Sequence, residues 1–398
     1  MRISIPFRTA TRALSALAVV AALAACGDDN GTGPNTGSVT VSVTSTGAGV
    51  SSAGYVVTVD NGDGQDVAAN GDISISVNAG SHSVALTNLP SNCSVSGNNP
   101  VTVDVTAGQD VEVDFAVTCV APTIAFASDR SGAFNIFTMS IDGSGVTQLT
   151  HDAAPDFSTL PAWSPDGSKI AFASNRNRSS TGLDIWVMNA DGSSPTRLTN
   201  TAGQNARAAW SHDGTKIAFS STRDTGVLDK AEIWVMNADG SGQHALTTDG
   251  AFANTPSWSP DDSKIVFQSN RDGTDQLYVM NADGTAITRL TNGAWADQDP
   301  SWSPDGTLIA FHSNRDGAAP LDETDFEIYV VNADGSSPTR LTTNSAFDGR
   351  PAWSSNGEQL IFDTRRDGNQ EVYVMNSDGS GQVDVTNNGA EDGFPRFR

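Results

Sequence analysis

The 398-residue chain carries 46 acidic against 22 basic side chains, a formal net charge of −24, with 38 glycines and three cysteines. Acidity on this scale argues against nucleic acid as a partner, because phosphate recognition demands Lys and Arg. After residue 26 no window sustains a 3.6-residue apolar repeat and no apolar run reaches ~18 residues, so the composition points to a turn-rich all-β protein without a spanning helix.

The first residues read as an export signal. Arg2, Arg8 and Arg12 precede an apolar stretch from Ala13 to Ala22 that is too short to span a bilayer. It ends in Leu23-Ala24-Ala25-Cys26, which resembles the lipobox of bacterial lipoproteins. That resemblance implies cleavage before Cys26 and acylation of its thiol; ordinary signal cleavage after Ala22-Leu23-Ala24 is the alternative. Several acyl chains would anchor firmly, since each buried CH₂ contributes about 0.8 kcal/mol. Removing residues 1–25, which hold three arginines and no acid, leaves 19 basic against 46 acidic side chains, a net charge of −27. Residues 26–37 then read as a flexible tether.

Residues 38–121 alternate with period two in segments such as Ser38–Thr44, Tyr55–Val59, Ile73–Val77, Val101–Val105 and Val111–Val117, separated by Gly, Asn and Asp clusters. Six or seven such strands predict a small β-sandwich, immunoglobulin-like or prealbumin-like, serving as a spacer. It contains no Lys or Arg. Setting Cys26 aside leaves Cys93, expected in a loop, and Cys119, at the end of the last strand. In an exported protein this even remainder predicts a disulfide.

From Thr123 the chain repeats itself. One unit runs from Pro161-Ala-Trp-Ser-Pro-Asp-Gly through Lys-Ile-Ala-Phe-Ala-Ser-Asn-Arg176, then Ile185-Trp-Val-Met-Asn-Ala-Asp-Gly192 and Thr196-Arg-Leu-Thr199. The Ile-Ala-Phe position recurs at Ile124, Ile170, Ile217, Ile265, Ile309 and Leu360. Four short strands per unit, joined by Ser-Pro-Asp-Gly and Asn-Ala-Asp-Gly turns, predict the blades of a six-bladed β-propeller over residues 123–398. The first copy lacks its Trp strand, whereas Gly393–Arg398 matches one, with Phe397 in the Trp position. The C-terminal strand is therefore expected to complete the first blade and close the ring.

These motifs resemble the TolB propeller family over residues 123–398. The resemblance implies the six-bladed fold and a place in the bacterial envelope. The family's namesake, a periplasmic protein of the Tol–Pal system, carries an α/β domain ahead of its propeller, where this chain has the sandwich. The same repeat is similar to that of prolyl-oligopeptidase-type propellers, but the Gly-x-Ser-x-Gly elbow of their hydrolase domain does not occur in this sequence.

Trp163, Trp210, Trp258, Trp302, Trp353 and Phe397 are expected to pack blade on blade. Arg130, Arg176, Arg223, Arg271, Arg315 and Arg366 close the second strand of every copy and are expected to form a structural ring. Their expected partners are the carboxylates before the third strand, Asp184, Glu232, Glu327 and Glu371. The connections between blades converge on one face, where Phe157, Phe252, Trp295 and Phe347 stand among Asp156, Asp297, Asp299 and Asp348. Aromatic side chains amid polar loops on a rigid scaffold make this the candidate binding face. The five histidines fall at unrelated repeat positions and form no zinc-protease spacing, so no catalytic residue, metal site or cofactor is assigned; a structural cation in the central channel stays open. The expected function is a non-enzymatic protein-binding or scaffold module, lipid-anchored in the cell envelope, whose partners are envelope proteins or peptidoglycan-associated. The alternatives are a hydrolase or lyase acting on polysaccharide or peptide in the channel, and a purely structural surface protein.

Overall fold

The structure, a computed structural model, describes residues 35–47, 50, 54–89, 93–119, 123–176, 182–317 and 325–398. The expected signal segment and Cys26 lie outside the described residues. No helix among the described residues is long and apolar enough to cross a membrane.

The N-terminal unit is two four-stranded sheets face to face. One contains Asn70–Asn78, Thr36–Gly47, Asp110–Cys119 and Cys93–Ser96 in that order; the other contains Gln65–Val67, Tyr55–Val59, Gly80–Thr87 and Val101–Val105. Alternation puts Val39, Val41, Val43, Val57, Val84, Leu86, Val113, Phe115 and Val117 between the sheets. The first strand already starts at Thr36, because Thr36 and Gly37 pair with Asn78 and Val77, so the last two residues of the expected tether belong to the sheet. Cys93 opens a strand rather than lying in a loop. Its segment pairs with the last strand so that Cys93 stands opposite Cys119, and the two are joined in a disulfide.

The second unit is six four-stranded antiparallel sheets, numbered here as blades 1 to 6. The innermost strands of blades 2 to 6 are Ser158–Trp163, Asn205–Trp210, Ala253–Trp258, Asp297–Trp302 and Asp348–Trp353. Blade 1 combines Thr123–Ser128, Asn135–Ser140 and Thr147–Gln148 with the last strand, Asp392–Phe397, which pairs antiparallel with Thr123–Ser128. The second strands are buried on both faces, so they read as continuous apolar runs rather than alternating ones. Their phenylalanines, Phe126, Phe172, Phe219, Phe267, Phe311 and Phe362, are fully buried, each worth about 1.5–3 kcal/mol of transfer free energy.

The Trp positions pack across blade boundaries. Trp258 lies against Ala218 and Ile233 of blade 3, Trp353 against Ala310 and Ile328 of blade 5, and Phe397 in a cluster with Ile361 and Val372 of blade 6. The Asn-x-Asp-Gly turns, Ser140-Ile-Asp-Gly in blade 1, bring neighbouring blades into backbone contact. Gly192 (φ +84°) would place a Cβ 2.8 Å from the Leu149 carbonyl oxygen of blade 1, and Gly143 (φ +80°) would place one 2.3 Å from that of Val385 beyond blade 6. Both the left-handed conformation and the close approach demand glycine there.

Candidate functional site

Each innermost strand is interrupted by a bulge at the same place. Opposite the second strand, two residues replace one between Thr159 and Ala162, Ala206 and Ala209, Asn254 and Ser257, Gln298 and Ser301, Gly349 and Ala352, and Gly393 and Arg396. The first residue of each bulge is left-handed: Leu160, Arg207, Thr255, Asp299, Arg350 and Phe394 have φ between +50° and +58°. Proline follows in five of the six copies (Pro161, Pro256, Pro300, Pro351 and Pro395), with Ala208 in the other. Such conformations cost on the order of 1–3 kcal/mol for a residue with a Cβ, and bulges re-aim side chains. Here they create a ring of six side chains of five chemical kinds around the propeller axis.

That ring is polar on one side. Arg207 Nη1 of blade 3 donates to Asp299 Oδ1 of blade 5 at 2.8 Å, reaching past Thr255. Arg350 Nη1 donates to both oxygens of Asp363 at 3.0 and 3.1 Å. Phe394 lies under both cations, with its ring centre 5.9 Å from the Arg207 guanidinium carbon and 4.3 Å from that of Arg350. The second strands supply a supporting shell, in which backbone N–H groups of the strained residues are held by a side chain of the preceding blade. Asp299 N donates to Gln268 Oε1 (3.4 Å), Arg350 N to His312 Nδ1 (3.2 Å) and Phe394 N to Asp363 Oδ2 (2.9 Å). Because His312 Nδ1 accepts, its proton sits on Nε2 and is donated to Gln298 Oε1 at 3.2 Å. On the other side, Ala127 and Ala173 occupy the equivalent shell positions and Leu160 the ring.

Burial pushes His312 down to about 4, a shift that Asp299 and Asp363 oppose and Arg350 and Arg207 reinforce. Asp299 would be raised by burial, but Arg207, His312, Arg350 and Arg396 together hold it below the usual carboxylate range. His312 is therefore neutral at physiological pH, and its depressed pKa sets the sign of an acid dependence. Between pH 6.5 and about 4 the unfolded chain binds a proton that the folded His312 refuses. His312 should therefore contribute a loss of stability through that window as pH falls, about 3 kcal/mol, against the opposite contribution of Glu327, which burial raises to about 7. Urea unfolding at a series of pH values should show the wild type losing more stability towards pH 4 than His312→Gln does; an equal slope in both would reject the assignment.

The residues singled out in the sequence fall into two groups. The six arginines do form a repeated structural element. Each Nε donates to the hydroxyl two residues earlier, from Ser128 (2.8 Å) to Thr364 (3.1 Å), and each guanidinium lies over the Phe of its second strand. Their partners differ from those expected. Arg130 pairs with Asp392 (2.7 Å), Arg176 with Asp152 (2.8 Å), Arg315 with Asp297 (2.8 Å), Arg366 with Asp348 (2.7 Å) and, more loosely, Arg271 with Asp249 (3.4 Å). Arg223 instead donates to Asn205 Oδ1 at 2.9 Å. The carboxylates before the third strand turn the other way, towards the fourth strand: Asp184 accepts from Arg197 and Thr199, Glu327 from Arg340, and Glu371 from Thr386.

Asp297 and Asp348 are therefore fully buried partners of the arginine ring, and Asp299 belongs to the channel; Asp156 remains at the loop surface, half-exposed. The aromatics occupy the loop face and are half-buried. Their backbone is clamped: Asn175 Oδ1 accepts from Phe157 N (2.7 Å) and Asn270 Oδ1 from Phe252 N (3.1 Å). Asn314 holds Ala296, beside Trp295, in the same way (2.8 Å). Phe347 packs edge-on against His312 and Phe326, and so covers the polar side of the channel. The turn aspartates accept hydrogen bonds within their own turns; Ser259 and Ser263 hold Asp261 down to about 2. Among the described residues, no group of three or more His, Cys, Asp or Glu is placed to hold a metal ion.

Arg207, Arg350, Arg396, His312 and Asp363 were not singled out as site residues from the sequence. The available signal was proline recurring inside a strand, which marks an edge or a bulge and points to the variable residue before it.

Residues 153–255 and 251–326 match the family described as TolB beta propeller domain. The chain is 35% identical over 80 residues to an uncharacterized protein of Agrobacterium fabrum and 35% identical over 81 residues to the Tol-Pal system protein TolB of Hahella chejuensis. Each match takes in 20% of this chain, and the chain spans 26% and 18% of those two relatives. Among solved structures it is similar to TolB from Acinetobacter baumannii, with a TM-score of 0.60 and 21% identity over 69% of this chain and 66% of that one, a likeness of fold.

Proposed function

With residues 123–398 forming a TolB-like β-propeller, we propose that the chain is a protein-binding or scaffold module of the bacterial cell envelope, exported and anchored by lipid on Cys26. The sandwich acts as a spacer between that anchor and the propeller. The observation that carries the reading is the loop face. Phe157, Phe252, Trp295 and Phe347 stand half-exposed on one side of the ring, and asparagines just past the second strands hold the backbone at Phe157, at Phe252 and beside Trp295. Rigid aromatic side chains of this kind lose little conformational entropy on docking, which is why they carry binding energy in protein interfaces.

The Tol–Pal context of the relatives supplies a probe. Purified peptidoglycan-associated lipoprotein should bind the immobilised wild-type chain, and a variant with Phe157, Phe252, Trp295 and Phe347 all changed to Ala should bind at least about tenfold more weakly. Unchanged affinity in the variant would move the contact off this face, and no binding to the wild type would remove the Tol–Pal partner. In the same cells, Cys26→Ser should abolish palmitate incorporation and release the protein from the membrane fraction; a Cys26→Ser protein that still incorporated palmitate would rule out the anchor.

A further inference from the structure

The position two residues beyond each strained bulge residue is small in five blades: Ala162, Ala209, Ser257, Ser301 and Ala352. In blade 1 it is Arg396. This arginine lines a cavity of about 250 Å³ on the channel axis, bounded at depth by Leu160, Arg207, Thr255, Asp299 and Phe394. The cavity reaches the end of the inner strands where the Trp residues and the Ser-Pro-Asp-Gly turns lie, away from the aromatic loop face. Its volume far exceeds the ~15 Å³ that admits one water, so it has room for a small organic group.

The Arg396 side chain makes one hydrogen bond, from Nη1 to the Pro395 carbonyl at 2.8 Å, and among the described residues it has no ion-pair partner. The cations beside it are already matched: Arg207 is spent on Asp299, and Arg350 on Asp363. Burial lowers the Arg396 pKa, which Arg207 and Arg350 reinforce and Asp299 and Asp363 oppose, yet a guanidinium stays charged at neutral pH. Arg396 is half-buried at the cavity wall and the carboxylates near it are held by other arginines, so an anion that enters the cavity gains a charge-assisted contact. Ser257 stands three blades away, across the channel, and Ser301 beside it, so two hydroxyls line the same space.

The mouth narrows the choice of anion. The wider opening at that end is lined by Asp305, Glu358 and Asp378 against the single arginine Arg398, so carboxylates outnumber guanidinium groups there. An acidic mouth above a basic floor repels a bare polyanion. It suits a single carboxylate carried next to a cationic group. We infer that the turn-side channel is a carboxylate-binding site in which Arg396 is the anchoring cation and Ser257 and Ser301 supply further donors, with the free carboxyl terminus of a basic peptide as the ligand that fits best.

The test is calorimetric titration of the full chain with lysyl-alanyl-alanine as the free acid, with its C-terminal amide, and with acetate. The free acid should bind at least about tenfold more tightly than the amide, the cost of one charge-assisted contact. A peptide tighter than acetate identifies a chain terminus as the source; equal affinities identify a small carboxylate, and either result keeps the site. Arg396→Met should lose about tenfold or more. Because Arg396 lies in a pairing strand, Ser257→Glu serves as the second variant: an internal carboxylate opposite Arg396 should abolish binding while raising the melting temperature, and it decides the matter alone if Arg396→Met does not fold. Equal binding of acid and amide, no binding by the wild type, or unchanged affinity in either folded variant would overturn the site.

Discussion

Deleting residues 392–398 should unfold the propeller as a whole rather than fray one end. The deleted strand supplies the inner partner of Thr123–Ser128 and carries Asp392, the carboxylate paired with Arg130 at 2.7 Å. It also carries Phe397, packed with Ile124, Phe126, Ile361 and Val374 between blades 1 and 6. Losing a buried Phe costs about 3–5 kcal/mol, and orphaning a largely buried arginine costs a similar amount. Together these are on the order of the whole 5–15 kcal/mol that holds a domain folded. The truncated chain should be insoluble or lack a cooperative melting transition, whereas Phe397→Ala alone should fold and melt lower. Differential scanning calorimetry checks this; a truncated protein melting within a few degrees of the wild type would show that the ring does not depend on that strand.

The blades were legible because each copy repeats a buried apolar triplet ending in Phe in the second strand and an aromatic at the end of the first, and burial on both faces of the second strand leaves little freedom there. The disulfide was legible once Cys26 was set aside as the expected lipidation site, because an even pair, Cys93 and Cys119, then remained. The channel was not, and the reason is physical. Reading Ser158–Trp163 and its equivalents as regular strands assigns strict alternation, whereas the bulge and the left-handed residue before Pro161, Pro256, Pro300, Pro351 and Pro395 turn a further side chain towards the axis. His312 looked unrelated to any repeat position, yet it occupies the place of Gln268 and Asp363 in the neighbouring blades, one residue past the buried Phe. Asp297 and Asp348 looked like loop acids because each is followed by polar residues or glycine. Only the tertiary approach of Arg315 and Arg366 shows that they are buried. Repetition therefore revealed the scaffold, and departures from repetition, Arg396 among alanines and serines above all, mark where this propeller differs chemically from a symmetric one.

The second large effect should come from Asp363, where the strain of the bulges and the charge of the channel meet. Its fully buried carboxylate accepts from Arg350 Nη1 (3.0 and 3.1 Å), Gln370 Nε2 (2.9 Å) and the backbone N–H of Phe394 (2.9 Å), a left-handed residue of the next blade. Asp363→Ala leaves all three donors without their acceptor and a guanidinium without its counter-charge, so it should cost about 3–5 kcal/mol and lower the melting temperature by roughly 10 °C. Asp363→Asn, which keeps an acceptor for Phe394 but loses the charge, should fall between the two. The decisive comparison is the double variant Asp363→Ala with Arg350→Met. Removing both members of a buried pair is far milder than removing one, so this protein should regain most of the lost stability. If it melts no higher than Asp363→Ala alone, the orphaned cation is not the cause, and the cost lies instead in the unheld bulge at Phe394.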